Sequence, residues 1–255
     1  VDRGEGTKDE RLRRALREVL RKNHVPFPDR MFQGDVHVDD TRLSLDYDGA
    51  TLTVQDDGSY ALSLTDERQK TAARLVFHPQ KPPARHGDNG VVKSVGGEDM
   101  FYYFIPRCRV TGTVTLDGLA SPVGAGQGWY DHEFGRYLEE RKEKRDIVWN
   151  WASAQLDNGS EVTAFSLTDR KTKESVGNWA VLIAPDGTFK TSSHASFVPG
   201  STWSSTRTFF EYPVHWKLDV PDLGIHLTID AVFEDQEFVS LVSKPAVWEG
   251  RCAIA

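Results

Sequence analysis

Apolar and polar residues alternate through most of this sequence, and turn residues interrupt the alternation about every ten residues. Leu43-Ser44-Leu45-Asp46-Tyr47 and Tyr60-Ala61-Leu62-Ser63-Leu64 are typical runs. The turns share an Asp or Asn followed by Gly: Asp48-Gly49, Asp57-Gly58, Asp117-Gly118, Asn158-Gly159 and Asp186-Gly187. A period of two residues between such turns indicates antiparallel strands joined as hairpins. The sequence therefore predicts an all-β fold of barrels or sandwiches and excludes alternating βα units.

The N-terminal residues follow a different period. Apolar residues recur there at helical spacing among Arg and Glu: Leu12, Leu16, Val19 and Leu20. Thr7 and Glu10 resemble a capping box at the start, and Asn23 followed by Pro26 supplies the end. Residues 1–24 are therefore predicted to form one short amphipathic helix.

A highly charged segment, residues 136–146, separates two β-rich halves. Each half holds roughly 110 residues of strand pattern, the size of a small closed or nearly closed sheet. The predicted organisation is a helical segment over 1–24, a β domain over 25–140 and a second β domain over 141–255. The two β-barrel-like domains are expected to pack side by side.

Charge and cysteine content limit the partners of the chain. Lys and Arg number 31 against 38 Asp and Glu, and the resulting charge of −7 argues against a nucleic-acid partner. No run approaches the roughly 18 apolar residues of a membrane span. Cys108 and Cys252 alone make neither a disulfide framework nor a zinc site, and a cytoplasmic location is favoured. The eight histidines lack chelating spacing, so we expect no metal and no cofactor.

The densest group of reactive side chains lies between Gly126 and Gly135. In a strand, Trp129, Asp131 and Glu133 share one face, whereas the opposite face carries the residues between them: Tyr130, His132 and Phe134. An inward Asp131 would be desolvated among aromatic rings, which raises the pKa of a carboxyl and suits a general acid. The alternative is a structural role, in which Asp131 and His132 bond the backbone of a tight turn.

Two further segments combine aromatic and polar side chains. One face of the strand predicted around residue 152 carries Trp149, Trp151, Ser153 and Gln155. That mixture suits the wall of a ligand cavity, although ordinary core packing explains it as well. The run Met100–Arg107 is so continuously aromatic that both of its faces must be covered, by an interface, a cavity or the core.

Several motifs occur together in one order. They are Tyr103-Phe104-Ile105-Pro106-Arg107, Val110-Thr111-Gly112-Thr113-Val114, Gly128-Trp129-Tyr130-Asp131-His132-Glu133-Phe134-Gly135, Gln155-Leu156-Asp157-Asn158-Gly159-Ser160-Glu161, Ala184-Pro185-Asp186-Gly187, Tyr212-Pro213-Val214-His215-Trp216, Asp235-Gln236-Glu237 and Trp248-Glu249-Gly250. In this order they resemble the AttH-like, hydroxyneurosporene-synthase family, which includes the carotenoid hydratases. The resemblance covers roughly Leu43 to Gly250.

This resemblance implies two lipocalin-like β-barrel domains and a cavity for a hydrophobic ligand at or near their junction. It also implies one of two activities. Some relatives add water to the terminal double bond of a polyene, and others fold a polyene for a cofactor-free cycloaddition of Diels–Alder type. Asp131 matches an acidic position that the hydratases need.

The sequence departs from the family pattern at two places. The hydratases pair that acid with an upstream His and Trp, whereas Tyr102, Tyr103 and Phe104 stand at about the corresponding place here. This difference favours cyclisation over hydration. The usual Glu-Trp-Trp-Tyr strand at the start and Gly-Tyr-rich strand at the end are also not found, which indicates a fragment, a processed form or a divergent member.

Our first interpretation is a cofactor-independent cyclase that folds a hydrophobic polyene or polyketide in a natural-product pathway, because holding the reacting ends together needs no nucleophile or metal. The alternatives are a hydratase acting on a polyene double bond and a non-enzymatic lipocalin-like carrier. The predicted catalytic residues are Asp131, Tyr103 and Gln155. The predicted substrate-binding residues are Trp129, Tyr130, His132, Glu133, Trp149, Trp151, Phe104 and Trp248.

Overall fold

A computed structural model of the protein describes Pro28 and residues 35–39, 41–87, 89–93, 99–135, 147–239 and 246–255. The helix predicted over 1–24 and the connector predicted over 136–146 lie outside the described residues. Within them the chain forms antiparallel strands and one short 3₁₀ helix, Pro221–Leu223, which confirms the all-β prediction. The strands are β1 (Val36–Val38), β2 (Ser44–Tyr47), β3 (Ala50–Val54), β4 (Tyr60–Asp66), β5 (Thr71–Pro79), β6 (Ala84–Arg85), β7 (Val91–Lys93), β8 (Asp99–Leu116), β9 (Leu119–Gly135), β10 (Ile147–Gln155), β11 (Glu161–Asp169), β12 (Ser175–Ile183), β13 (Phe189–Ser192), β14 (Ser196–Pro199), β15 (Thr202–Ser204), β16 (Glu211–Pro213), β17 (His215–Val220), β18 (Ile225–Ala231), β19 (Glu237–Val239), β20 (Ala246–Trp248) and β21 (Cys252–Ile254).

The chain forms two compact units. The first unit is Phe32–His194 and contains β1 to β13, and the second unit combines Val1–Met31 with Ala195–Ala255 and contains β14 to β21. The junction expected between residues 136 and 146 falls in a segment that is not described. The division into lipocalin-like domains at residues 140 and 141 therefore stays a prediction.

A nine-stranded antiparallel sheet dominates the first unit. Its strands pair in the order β1-β2-β3-β4-β5-β8-β6, and β7 and β9 also pair with β8. The hairpin turns that the sequence predicts are present, and their glycines have φ angles of 79° to 84°: Gly49, Gly58, Gly118, Gly159 and Gly187. Such positive φ angles explain the preference for Gly at these turns. In the described residues no pairing closes this sheet on itself, so barrel closure stays a prediction.

The long hairpin of β8 and β9 is the central feature of this sheet. Its register shifts between Ile105 and Cys108, where Pro106 and Arg107 of β8 lie opposite Trp129 alone and form a bulge. Gln155 of β10 donates its amide group to the carbonyl oxygen of Pro106 at 2.8 Å and to the carbonyl oxygen of Gly128 at 3.0 Å. The bulge thus gives the neighbouring sheet a fixed point of attachment.

A four-stranded sheet, β10-β11-β12-β13, packs on one face of the nine-stranded sheet within the first unit. The shared core contains Ala84 and Phe104 from the larger sheet and Val181 and Ile183 from β12. Two tryptophans, Trp129 and Trp179, pack against this core. The layer between the sheets therefore contains the aromatic residues of both.

A buried ion cluster also joins these two sheets. The carboxylate of Glu161, at the start of β11, is fully buried and accepts from Lys81 Nζ at 2.7 Å and from Arg107 Nε at 2.6 Å. Lys81 also donates to the carbonyl oxygens of Gly159 and Ala184, at 2.6 and 2.8 Å. Every charge in the cluster is thereby paired, as burial requires.

The second unit contains the sheet β14-β17-β18-β21 and the two hairpins β15-β16 and β19-β20. Its core includes one buried carboxylate, that of Glu237, which accepts hydrogen bonds from the hydroxyl groups of Ser205 and Thr208. Tyr212 donates to the same carboxylate at 2.8 Å. The carboxylate therefore ties β19 to the β15-β16 hairpin.

Candidate active site

The register of β8 and β9 determines which side chains share a face. Tyr102 lies opposite Glu133 and Phe104 lies opposite Asp131, so these pairs point to the same side of the sheet. We call this side the acid face, and it consists of Tyr102, Phe104, Trp129, Asp131 and Glu133. It is the side on which the four-stranded sheet packs, because Phe104 and Trp129 contact the core contributed by β12.

Trp129 connects the aromatic and acidic parts of the acid face. Its indole ring stacks on the buried ring of Phe104, with 5.2 Å between centroids and 14° between planes. Its Nε1 donates to Asp131 Oδ1 at 3.0 Å. An N–H donor suits an ionised carboxylate, which can only accept. An inward Asp131 is predicted from the sequence to be desolvated, but its side chain is exposed to solvent, because the four-stranded sheet covers Phe104 without covering this carboxylate.

Tyr102 lies among the acids of this face. The pKa of the Tyr102 hydroxyl lies far above its ordinary value. Burial is the largest cause, and the charge of Asp131, a hydrogen bond to Asp131 and the charge of Glu133 follow in that order. Desolvation also raises the pKa of the Glu133 carboxyl. The hydroxyl therefore stays protonated as a hydrogen-bond donor, and Glu133 keeps its proton to higher pH than an ordinary carboxyl. The acid face thus combines a hydroxyl donor with two solvent-exposed carboxyl groups, those of Asp131 and Glu133.

The four-stranded sheet adds three aromatic side chains opposite the acid face. Phe165 lies between Trp151 and Trp179 in the strand register, so the three rings share one side of the sheet. All three residues are half-buried. The indole N–H groups of Trp151 and Trp179 are shielded from solvent and have no hydrogen-bond partner among the described residues.

His86 follows β6 and is completely buried between the two sheets. Its ring centroid lies 4.5 Å from that of Tyr102, 4.9 Å from that of Phe104 and 5.5 Å from that of Phe165. Its Nε2 lies 3.4 Å from Thr163 Oγ1, and its Nδ1 has no partner in the described part of the chain. Burial lowers the pKa of His86 from 6.5 to about 3, so the imidazole is neutral at physiological pH.

The opposite side of the β8-β9 hairpin carries a separate polar cluster. His132 Nδ1 lies 3.0 Å from the Tyr103 hydroxyl and 3.3 Å from the Tyr130 hydroxyl. Tyr60 of β4 packs on Tyr130, with ring centroids 4.9 Å apart. Burial, followed by a hydrogen bond to Tyr103, raises the pKa of Tyr130. We call Tyr60, Tyr103, Tyr130 and His132 the tyrosine cluster.

The structure thus divides the residues predicted from the sequence. Phe104, Trp129 and Trp151 belong to the aromatic layer between the sheets of the first unit, and Asp131 and Glu133 continue the same face of β9 as exposed side chains. Tyr103, Tyr130 and His132 lie on the other side of the same hairpin. Gln155 uses its amide donors to bind the bulge, Trp149 is 52% exposed, and Trp248 belongs to the second unit. Their predicted roles in the reaction stay predictions.

Sequence reasoning missed four residues of this layer: Tyr102, His86, Phe165 and Trp179. Strand parity could have selected Tyr102 over Tyr103, but only once the register of β8 against β9 was known. A lone histidine after a two-residue strand carries no pattern, and the contact of His86 with Phe165 joins positions far apart in the chain.

Among the described residues, no group of three or more His, Cys, Asp or Glu side chains is placed to hold a metal ion. In the same part of the chain no helix has the length and apolar character needed to cross a membrane.

The chain is similar to known proteins in sequence and in fold. A family model described as AttH-like matches residues 15–255. The crystal structure of an AttH protein from Nitrosomonas europaea superposes with a TM-score of 0.73 at 26% identity, and covers 83% of this chain. Kievitone hydratase from Nectria haematococca superposes with a TM-score of 0.69 at 16% identity, and covers 84% of this chain. The chain spans 65% of the length of each of these two structures. No curated protein sequence matches it.

Proposed function

Since this chain belongs to the AttH-like family, we propose that it is an enzyme that binds a hydrophobic, unsaturated small molecule at the acid face and adds water across one of its double bonds. The observation that carries the proposal is the placement of Asp131, Glu133 and the Tyr102 hydroxyl on one face, against aromatic rings. One similar structure is named as a hydratase, which agrees with this chemistry.

Hydration of an alkene needs a proton donor, a water molecule and a base. Glu133 is the donor, because desolvation raises the pKa of its carboxyl. Its proton adds to one alkene carbon, the π electrons form the new C–H bond, and the neighbouring carbon becomes a cation. Carboxylates at alternate positions of a strand lie about 7 Å apart, which leaves room for a water between them.

Asp131 is the base. It accepts a proton from that water while the water oxygen bonds to the cationic carbon, so the net change is the addition of one water molecule. Trp129 donates to Asp131 and orients it for this step. The face of Trp129 that is not stacked on Phe104 stabilises the positive charge of the intermediate. The Tyr102 hydroxyl, which bonds Asp131 and lies opposite Glu133, is placed to return the proton from Asp131 to Glu133.

A cyclase, which is the first interpretation of the sequence, becomes the second candidate, and the unpartnered indole N–H groups of Trp151 and Trp179 favour it. Donors of this kind polarise a substrate carbonyl, and a polarised carbonyl accelerates a cycloaddition without any acid. Product analysis separates the two reactions. We expect incubation with polyenes and isolated alkenes in isotopically labelled water to give a product heavier by one labelled water. A product of unchanged mass and new connectivity supports the cyclase, and tight binding without conversion supports a carrier.

The acid face itself is tested with Asp131→Asn and Glu133→Gln. Each variant keeps the shape of the side chain and removes its proton chemistry, so hydration should fall by about 10²–10⁴-fold while the protein stays folded. Asp117→Asn is the matched control, because Asp117 has a φ of 51° in the β8-β9 turn and Asn tolerates that conformation. Unchanged hydration in both acid-face variants contradicts the proposed mechanism.

A further inference from the structure

Three buried polar atoms in the described residues have no hydrogen-bond partner: His86 Nδ1, Trp151 Nε1 and Trp179 Nε1. All three belong to the same layer between the sheets of the first unit. Trp151 and Trp179 flank Phe165 in the strand register, and the His86 ring packs on the ring of Phe165 at 5.5 Å. Buried polar groups are paired in the great majority of cases, so three unpaired atoms around one side chain need an explanation.

The described residues around these atoms do not provide the missing partners. The rings of Tyr102, Phe104 and Phe165 enclose His86, and Trp179 packs against the apolar core. Thr163 already accepts from Ser153 Oγ at 3.0 Å and contacts His86 through Nε2, not Nδ1. A weak hydrogen bond with the Trp151 side chain acts against the rise in the pKa of the Tyr102 hydroxyl, but the Trp151 N–H has no partner at full hydrogen-bonding geometry.

We propose that these three atoms form a buried polar subsite that receives one hydroxyl or carbonyl oxygen of the substrate. The inference rests on the proposed function and deepens it, because it names the substrate class: an apolar unsaturated molecule that carries an oxygen, and not a pure hydrocarbon. Two indole N–H groups donate to the lone pairs of that oxygen. The imidazole Nδ1 accepts from a hydroxyl in one tautomer and donates to a carbonyl in the other.

The position of the subsite explains how it serves the reaction. The rings of His86 and Tyr102 are 4.5 Å apart, and Tyr102 bonds Asp131, so the subsite adjoins the acid face through a single side chain. An oxygen held there anchors one end of an apolar molecule, and the aromatic layer then directs its alkene toward the acids. A hydrocarbon leaves the three atoms unpaired and gains no such orientation.

Binding of a matched pair of polyenes tests the subsite without any turnover. The probes are all-trans retinol and axerophthene, which differ only in the hydroxyl group. A wholly apolar site favours the hydrocarbon by about ten-fold, because the hydroxyl loses its hydration there. We expect the wild-type protein to bind retinol at least as tightly as axerophthene. A ten-fold preference for axerophthene, or binding of neither probe, overturns the inference.

Variants of the indoles locate the effect. Trp151→Phe and Trp179→Phe each remove one N–H and keep an aromatic ring, so each should weaken retinol binding about five-fold relative to axerophthene binding. Trp216→Phe is the control, because Trp216 Nε1 already donates to the carbonyl oxygen of Pro213 at 3.3 Å and lies in the second unit. An unchanged ratio of the two affinities in both indole variants contradicts the subsite. A general loss of packing weakens the binding of both probes alike and leaves the ratio of their affinities unchanged. The comparison of the two probes on the wild-type protein does not depend on the folding of any variant.

The failure of this inference is distinguishable from the failure of the proposed function. If Asp131→Asn loses hydration activity as expected but the wild-type protein strongly prefers axerophthene, the subsite is contradicted and the hydratase proposal stands. If the wild-type protein selects retinol but Asp131→Asn does not affect hydration, the subsite stands and the acid-face mechanism is contradicted.

Discussion

Tyr102 and Tyr103 are chemically identical neighbours, yet they have different environments because successive side chains of a strand point to opposite faces. Tyr102 bonds Asp131 and lies opposite Glu133, whereas Tyr103 contacts His132 and Tyr130. At the scale of single residues, strand parity therefore decides which tyrosine lies on the acid face.

This difference gives the first prediction. Tyr102→Phe removes a hydrogen bond to a charged group in the site and should lower turnover about ten-fold or more. Tyr103→Phe removes a hydroxyl from the other side of the hairpin and should leave turnover nearly unchanged. The two variants are measured side by side for kcat and melting temperature. The opposite result would place the reaction at the tyrosine cluster.

The second prediction concerns the pH dependence of stability at His86. Burial lowers the pKa of His86 in the folded protein from 6.5 to about 3. Below pH 6.5 the unfolded chain therefore takes up a proton that the folded protein does not, and stability is lost as the pH falls toward 3. His86→Gln removes this contribution, so its unfolding free energy should fall less steeply with decreasing pH.

Urea unfolding at several pH values between neutral and acidic measures this slope. Trp216→Phe is the control, because it alters packing without removing a titratable group and should keep the slope of the wild-type protein. Parallel slopes for wild type and His86→Gln show that His86 is protonated in the folded protein.

At the scale of elements, the buried carboxylate of Glu161 joins the four-stranded sheet to the nine-stranded sheet. Glu161→Ala leaves Lys81 and Arg107 without their anionic partner, and Lys81 is only 7% exposed. Breaking a buried pair in this way costs about 3–5 kcal/mol of unfolding free energy. Urea or thermal unfolding measures the loss.

The control for Glu161 is a pair on the surface. Arg42 and Asp56 are 3.5 Å apart, and the Asp56 side chain is fully exposed, so Asp56→Asn should produce no measurable change. Equal stability of Glu161→Ala and the wild-type protein would mean that the ion cluster does not hold the two sheets together.

The sequence predicted individual elements well where the signal is local. The hairpin turns at Asp48-Gly49 and Asp117-Gly118 follow from two residues that both tolerate positive φ, and both form. The predicted alternation of Trp129, Asp131 and Glu133 on one face is also observed. The register of β8 against β9 cannot be predicted in this way, because the shift between Ile105 and Cys108 depends on a bulge that no local pattern reveals.

At the scale of the whole molecule, the all-β class and the family follow from the order of the motifs, since each motif is a strand or a turn of one architecture. The residues of the candidate site cannot be predicted from the order of the motifs, because they depend on which sheet covers which face. Phe165 and His86 meet through packing between two sheets, and nothing in either segment alone indicates that contact. The unpartnered N–H groups of Trp151 and Trp179 likewise become visible only when burial is known.

The last prediction concerns the two compact units and compares a buried carboxylate of each, Glu161 in the first and Glu237 in the second. Glu161→Gln weakens the cluster with Lys81 and Arg107 in the first unit, and Glu237→Gln weakens the cluster with Ser205 and Tyr212 in the second. Hydrogen exchange should therefore accelerate in β8 and in β10 to β12 for Glu161→Gln. For Glu237→Gln it should accelerate in β15, β16 and β19.

Hydrogen exchange followed by mass spectrometry on both full-length variants resolves these segments, because local openings differ in free energy along a chain. Asp56→Asn again serves as the control, and its exchange pattern should match that of the wild-type protein. If either carboxylate variant accelerates exchange equally in β1 to β13 and in β14 to β21, the chain opens as one cooperative body. In that case the compact units are not separate units of stability, and each carboxylate stabilises the whole protein instead of its own part.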